Sequence, residues 1–187
     1  MAGVIRILIV DDHLAVRVGL ERLLRSEPGF VVAGVASGVE TGIAQTQLSR
    51  PDVAVIDRQL QDGDGLALCR RLKAFPDPPR VLVYSAFADR QMTIPALLSG
   101  ADGLVDKGAP ADELFEAIRT VWRGGSAVPE PPRELLSDSA GVLPPDDLPI
   151  LGLLLGRTPV DEVAAALSLD RSKLDARIDA MVRELTP

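Results

Sequence analysis

The chain has 187 residues, of which 47% are hydrophobic, 3% aromatic and 25% charged, and its formal net charge is −7. This length allows one full domain and a small second one. The acidic balance excludes a global field that attracts nucleic acid, although a local basic patch would suffice for binding. Cys69 is the only cysteine, which excludes an intrachain disulfide and fits a reducing compartment.

The first two thirds of the chain alternate short apolar runs with helical patterns. The first run is too short for a signal peptide or a membrane span, so we expect a cytoplasmic protein without membrane contact. The runs that predict strands are residues 4–10, 30–35, 53–56, 81–84 and 103–106. A helical pattern follows each run. The first ends at Pro28-Gly29, the next three cover residues 37–48, 66–74 and 89–99, and the last begins at Pro110.

Five β-α units of this kind predict an α/β fold with a doubly wound parallel sheet, covered by helices on both faces. The functional crevice of such a sheet lies at the carboxyl ends of its strands. Polar side chains follow these ends, and they are Asp11, Asp12, Asp57, Ser85 and Lys107. We therefore expect these five side chains to share one edge of the sheet.

Three carboxylates at one edge repel one another unless a cation neutralises them. An oxygen-rich site with spare coordination positions suits Mg²⁺, which joins carboxylates to phosphate oxygens. A lysine and a serine can bind further phosphoryl oxygens, so the set predicts a site of phosphoryl transfer.

Simpler interpretations exist for several of these residues. Asp11 or Asp12 alone could be a helix N-cap. His13 is expected to begin the first helix rather than bind metal, because the chain has no second histidine. Cys69 is expected to face the core, and the QDGDG loop at 61–65 is expected to be a turn with glycine at positive φ.

Four motifs in chain order carry a resemblance to a known family. They are VDDH at 10–13, IDRQLQDGDGL at 56–66, YSA at 84–86 and GADGLVDK at 100–107. Together they resemble the receiver domain of two-component response regulators over residues 4–122, which implies a flavodoxin-like fold for a first domain at 1–122.

The resemblance also implies roles for the polar residues. Asp57 would accept a phosphoryl group from a sensor histidine kinase. Asp12 would bind Mg²⁺ directly, with Asp11 supporting it partly through water and the backbone carbonyl of Gln59 as a further ligand. Ser85 and Lys107 would contact the phosphoryl group. The chain would not be an enzyme beyond self-dephosphorylation, since an aspartyl-phosphate hydrolase carries a second aspartate where Gln59 stands.

Two positions depart from the family pattern. Gln61 stands where the family has proline, so we expect a less rigid loop after Asp57. Leu104 stands where the family has an aromatic residue that moves inward with the hydroxyl residue, which weakens the expected path from the site to the output.

The remaining chain predicts a linker at 123–142, with a short helical turn at Leu135-Leu136, and a second domain at 143–187. Helical patterns at 145–155, 159–167 and 170–185, with Asp170 as N-cap of the last, form a helix-turn-helix pattern. The region resembles the LuxR-type output domain, whose third helix reads DNA. The family's fourth helix, often used for dimerisation, has no counterpart before Pro187, so we expect a truncated domain.

The predicted reading helix is electrically neutral. Its basic residues, the candidate DNA contacts, are Arg171, Lys173, Arg177 and Arg183, and four acidic residues balance them. Asp175 and Asp179 occupy positions where the family has basic or histidine residues, which opposes phosphate binding. Two hypotheses follow: a dimeric regulator of transcription that binds promoter DNA, or a receiver whose degenerate helical domain binds protein or holds a dimer together.

Overall fold

The computed structural model describes residues 3–86 and 88–186, so the termini of the two predicted domains, at residues 1 and 187, lie outside it. Its strands are β1 (Ile5–Val10), β2 (Phe30–Ala36), β3 (Val53–Asp57), β4 (Gln59–Leu60), β5 (Gly63–Asp64), β6 (Arg80–Ser85) and β7 (Gly103–Asp106). Five of them form a parallel sheet in the order β2-β1-β3-β6-β7. The predicted five-stranded parallel sheet is therefore confirmed, and β4 and β5 add a small antiparallel hairpin.

The helices of this α/β unit are α1 (Leu14–Ser26), α2 (Val39–Ser49), α3 (Gly65–Lys73), α4 (Thr93–Leu98) and α5 (Ala111–Trp122). A 3₁₀ turn at Arg90–Met92 replaces the start of the predicted helix at 89–99. Alternate residues of β1 pack on opposite faces of the sheet. Ile7 and Ile9 join the core beneath α1 and α5, while Leu8 and Val10 join the core beneath α2, α3 and α4. Both faces are covered, which explains the continuous apolar runs of the strands.

Four more helices follow: α6 (Arg133–Val142), α7 (Leu148–Leu155), α8 (Val160–Ala166) and α9 (Arg171–Leu185). The three predicted helical stretches are confirmed, and the Asp170 carboxylate caps α9 by accepting a hydrogen bond from Ser172 N at 2.9 Å. The predicted turn at Leu135-Leu136 is wrong in extent, because these residues belong to the ten-residue helix α6. Both side chains pack against the core, and this tertiary contact stabilises a helix that local composition disfavours.

The carboxyl-terminal helices pack against α4, and α7 and α9 are the two that contact it most. The apolar core beneath α2, α3 and α4 continues into buried residues of these helices, among them Ile150, Leu154, Ile178 and Met181. An ion pair between Arg70 of α3 and Asp179 of α9 links the same two parts. The predicted reading helix is thus docked on the α/β unit rather than held apart from it.

Within residues 3–86 and 88–186, none of the helices combines the length and the apolar character needed to cross a bilayer.

Candidate metal centre and acidic site

The five polar residues predicted from the strand ends do lie at one edge of the sheet. Asp57 ends β3 and Ser85 ends β6, while Asp11 and Lys107 directly follow β1 and β7. Because β1, β3, β6 and β7 are neighbours in the sheet, their carboxyl ends meet. Asp11, Asp57 and Ser85 are buried, with relative exposures of 1%, 6% and 3%, and Asp12 is next to Asp11 in the same cluster.

Lys107 bridges two of the carboxylates. Its Nζ donates to Asp11 Oδ2 and to Asp57 Oδ2, both at 2.7 Å. Burial lowers the pKa of Lys107, but the hydrogen bonds to the two carboxylates outweigh it, so the pKa is raised above the ordinary value. The Lys107 backbone N–H also donates to Ser85 O at 2.8 Å, which ties the ends of β6 and β7 together.

The carboxylates can also hold a metal ion. Asp11, Asp12, His13 and Asp57 each offer one ligand atom, and these atoms lie within 4.8 Å of one another. Asp12 Oδ1 is buried and has no hydrogen bond to the described residues, although His13 Nδ1 is 2.8 Å away. A buried carboxylate oxygen without a hydrogen bond is suited to a hard cation, and three carboxylates fit Mg²⁺ better than a nitrogen-rich set would.

The helix-cap interpretation of the two aspartates is wrong. The residue at the N-cap position of α1 is His13, and its side chain makes no capping bond. The Asp11 carboxylate instead accepts a hydrogen bond from His13 N at 2.8 Å, with its other oxygen on Lys107. The His13 ring, which directly follows Asp12 in the sequence, is mostly exposed and lies beside the cluster.

A family model described as the response regulator receiver domain matches residues 7–119. The chain belongs to this family. It is 38% identical over 122 residues to the transcriptional activator DevR/DosR of Mycobacterium tuberculosis, covering 65% of this chain and 56% of that protein. The nitrate/nitrite response regulator NarL of Escherichia coli is 25% identical over 190 residues, covering 96% of this chain and 88% of NarL. The chain spans little more than half the length of DevR/DosR and of several other curated relatives that it matches.

Solved structures give the same fold. A LuxR-family response regulator from Aurantimonas sp. SI85-9A1 is 28% identical with a TM-score of 0.66, covering 73% of this chain and 98% of that one. RcsB from Salmonella enterica serovar Typhimurium, bound to promoter rprA, is 20% identical with a TM-score of 0.60, covering 99% of this chain and 94% of that one. At this identity the RcsB likeness shows the fold alone: a receiver domain followed by a helical domain.

The acidic loop of the receiver domain is a hairpin, and the expectation of positive φ at its glycines is wrong. Positive φ among the described glycines occurs at Gly29, Gly100 and Gly124 instead. Gly65 is required by close packing, since a Cβ there would lie 2.0 Å from the Asp57 backbone oxygen. Gln59 begins the hairpin, with its N–H 3.4 Å from Asp57 Oδ1, and its carbonyl as a metal ligand stays a prediction.

The carboxylates of this loop cap helices. Asp64 is the N-cap of α3 and accepts from Leu66 N at 2.7 Å. Asp62 accepts from Val39 N at 2.8 Å and so caps α2, 23 residues earlier in the chain. These two contacts tie the segment after Asp57 to both neighbouring helices, and they position the loop without the proline that Gln61 replaces.

Among the described residues, an aromatic side chain beside the site comes from β6, whereas β7 carries Leu104 at the expected position. Leu104 is buried in the core beneath α4. Tyr84, directly before Ser85, is half-buried, and its hydroxyl donates to the Lys107 backbone oxygen at 3.4 Å. Burial raises the pKa of Tyr84 above its ordinary value. Tyr84 belongs to the YSA motif, but no pattern in the sequence distinguishes it as a residue of the site.

Several charged side chains of α9 form ion pairs with other residues of this chain. Arg171 bonds Asp175 at 3.1 Å and also pairs with Asp161 of α8. The Arg177 Nε donates to Asp147 Oδ1 at 2.6 Å, and Asp147 is buried. Of the four predicted DNA contacts, Lys173 and Arg183 are exposed and form no ion pair with the described residues. The structure therefore places two of the four cations against carboxylates of this chain.

Proposed function

We propose that this chain is a response regulator whose Asp57 accepts a phosphoryl group from a sensor histidine kinase in a Mg²⁺-dependent reaction. The observation that carries the proposal is the Asp57 carboxylate, buried at a strand end within 4.8 Å of ligand atoms of Asp11 and Asp12 and bonded to Lys107. Mg²⁺, held by these aspartates and by the Gln59 carbonyl, would neutralise charge on the phosphoryl oxygens.

In the reaction, an oxygen of Asp57 attacks the phosphorus of a phosphohistidine. A new P–O bond forms, the P–N bond breaks, and the leaving imidazole takes a proton. Lys107 exchanges its bond to Asp57 Oδ2 for one to a phosphoryl oxygen while keeping Asp11. Ser85, at the end of the adjacent strand, donates its hydroxyl to another phosphoryl oxygen. The chain supplies position and charge, and its own turnover is limited to loss of the phosphoryl group.

The output that we propose is regulation of transcription by DNA binding as a homodimer. The domain division is 1–122 for the receiver, 123–142 for the connection and 143–187 for the output. Support comes from the α8-turn-α9 arrangement, from DevR/DosR, which is named a DNA-binding activator, and from NarL, which matches along most of this chain. The free thiol of Cys69 fits action in the cytoplasm, a reducing compartment.

A second candidate is an output domain that binds a protein partner or holds a dimer together. The ion pairs of α9 favour it. Phosphate neutralisation by lysine and arginine supplies much of DNA affinity, and here Arg171 and Arg177 already bond carboxylates. Asp175 and Asp179 would also lie on a helix that approaches phosphates.

The phosphoryl acceptor is tested with acetyl phosphate and Mg²⁺, with incorporation read by intact-protein mass spectrometry. The wild type is expected to gain one phosphoryl group, and the Asp57→Asn variant none. The matched control is Asp77→Asn, an exposed aspartate outside the cluster, which should be labelled like the wild type. EDTA should abolish labelling in every case. Equal labelling of the wild type and Asp57→Asn would overturn the proposal.

The output is tested by titrating the full chain against genomic DNA fragments at several salt concentrations, with and without acetyl phosphate. Saturable binding that weakens with salt and depends on Asp57 supports the DNA-binding regulator. Absence of binding at low salt in both forms removes that output and leaves the protein-binding candidate.

A further inference from the structure

A cavity of about 540 Å³ lies between the receiver and the carboxyl-terminal helices. Its walls come from α3, the loop between α4 and β7, the turn between α7 and α8, and α9. Arg80 at the start of β6 lines it and is paired in the sheet with Val53 at the start of β3. The cavity is thus at the opposite edge of the sheet from Asp57, roughly 13 Å away along β3. Its volume is typical of small-molecule sites, which often form between domains.

The lining of this cavity is positively charged. Five cations and three carboxylates contribute to it: Arg70, Lys73, Arg80, Arg157, Arg171, Asp102, Asp161 and Asp175. One of the five cations, Arg70, bonds Asp179 outside the lining, so one net positive charge remains at the cavity, in a chain whose overall charge is −7. A local excess of cations in an acidic protein favours an anionic ligand.

Arg157 differs from the other four cations. Each of those bonds a carboxylate of this chain. The Arg157 guanidinium contacts the neutral Ser126 hydroxyl and has no ion pair within the part of the chain that the structure describes. Its backbone is left-handed, with φ of 59°, at the turn after α7. Arg157 can therefore bond an anion without breaking an existing ion pair, and guanidinium binds carboxylate and phosphate bidentately.

The remaining lining is mostly apolar. Leu98, Leu154 and Ile178 are buried side chains at its base, two of them from the carboxyl-terminal helices. Ser99 also lines the cavity, and its hydroxyl is buried without a hydrogen bond to any described residue. A polar group in this state is costly, and a change of rotamer would offer it to a ligand. An apolar base with a few polar groups is the usual construction of a ligand pocket.

We propose that this cavity binds a small organic anion with an apolar body and one carboxylate or phosphate group. Arg157 and the surrounding cations would bind the anionic group, and Leu98, Leu154 and Ile178 would contact the body. The site lies away from Asp57, at the opposite edge of the sheet. Because the walls come from both the receiver and α9, an occupant stabilises the arrangement in which α9 is docked on the receiver.

The test uses the full chain and the fluorescent probe 1-anilinonaphthalene-8-sulfonate, an apolar ring system with one sulfonate. We expect saturable binding of one probe per chain, with phenyl phosphate and benzoate as competitors that distinguish a phosphate from a carboxylate preference. Arg157→Asn, which keeps a residue tolerant of the left-handed backbone, should weaken binding about tenfold or more. Arg157→Lys, which keeps the charge but loses the bidentate geometry, should recover only part of the affinity.

The matched control is Arg22→Asn, an exposed arginine of α1 far from the cavity, which should bind like the wild type. Circular dichroism and thermal melting establish that each variant is folded, and a competing anion should raise the melting temperature of the wild type. Equal probe affinity in the wild type and Arg157→Asn would overturn the proposal. So would binding of many probes per chain, or a failure of both anions to compete.

Discussion

Replacing Lys107 by methionine removes the charge that separates two buried carboxylates while keeping an unbranched side chain of similar length. In the structure, Lys107 makes two hydrogen bonds of 2.7 Å, to side chains of Asp11 and Asp57 that are 2% and 6% exposed. Removing one partner of a buried ion pair costs about 3–5 kcal/mol. The lysine itself is 18% exposed, so we expect about 2–4 kcal/mol less stability for the variant.

The measurement is urea denaturation at pH 7 in EDTA, and again in excess Mg²⁺. In EDTA the variant should unfold at lower urea, and Mg²⁺ should recover part of the loss because a cation again neutralises the carboxylates. Lys173→Met is the matched control, since Lys173 is exposed and makes no ion pair with the described residues, and it should change stability by less than about 0.5 kcal/mol.

A double variant shows whether the loss of stability comes from repulsion between Asp11 and Asp57 once Lys107 is removed. Adding Asp57→Asn to Lys107→Met removes one of the two carboxylates left without their cation, so it should restore stability relative to Lys107→Met alone. The reasoning fails if Lys107→Met is as stable as the wild type in EDTA, or if Asp57→Asn destabilises the protein further in that background.

Three further predictions concern packing, burial and the docked helix. Gly65→Ala should lower the free energy of unfolding by more than about 2 kcal/mol in urea denaturation, because its Cβ would lie 2.0 Å from a backbone oxygen. Gly19→Ala in α1 has open space around it and should raise the free energy of unfolding by about 0.5–1 kcal/mol. Similar losses of stability in both variants would refute the steric argument. Burial raises the pKa of Cys69 to about 12 from 9.0, so the unfolded thiol ionises first. Stability present below pH 9 should fall as pH rises towards 12, by up to about 1.4 kcal/mol per pH unit, and an equally steep fall in Cys69→Ala would contradict this. Arg177→Ala leaves buried Asp147 without its ion pair and should cost about 1–3 kcal/mol in thermal or urea unfolding, a loss that Asp147→Ala in the same chain should reduce.

The sheet and the acidic site were predictable because their signals are local. A buried parallel strand must be apolar along its length, so a polar residue marks its end, and neighbouring strand ends meet in space. Asp11, Asp57 and Lys107 were found in this way. The hydrogen bonds from Lys107 to Asp11 and Asp57 join residues that are 96 and 50 positions apart in the chain. The strand pattern predicts that these residues share one edge of the sheet, but it does not predict which atoms bond.

Contacts over long sequence distances explain what could not be predicted. The Asp62 carboxylate caps α2 rather than α3, the helix that follows its own loop, and nothing in the sequence near residue 62 indicates this contact with Val39. Helix α6 lies in a segment rich in Gly, Pro and Ser, where packing of Leu135 and Leu136 against the core overrides local propensity. The docking of α9 on α4 joins two stretches whose amphipathic patterns each specify a buried face but not its partner.

The salt dependence of DNA binding would show whether the ion pairs of α9 open. Each phosphate neutralised on duplex DNA contributes about −0.9 to the slope of log K against log salt concentration. If only Lys173 and Arg183 reach phosphates, the slope per protomer is about −1.8; if Arg171 and Arg177 also do so, it approaches about −3.6. Freeing Arg177 leaves the buried Asp147 unpaired, so we expect the shallower slope. Fluorescence anisotropy at salt concentrations from about 50 to about 200 mM measures it. Lys173→Ala should reduce it by about 0.9, while Arg177→Ala should leave it unchanged. A slope near −3.6 that falls in Arg177→Ala would mean that binding opens the pair with Asp147, and the docked form of α9 would then be the form that DNA displaces.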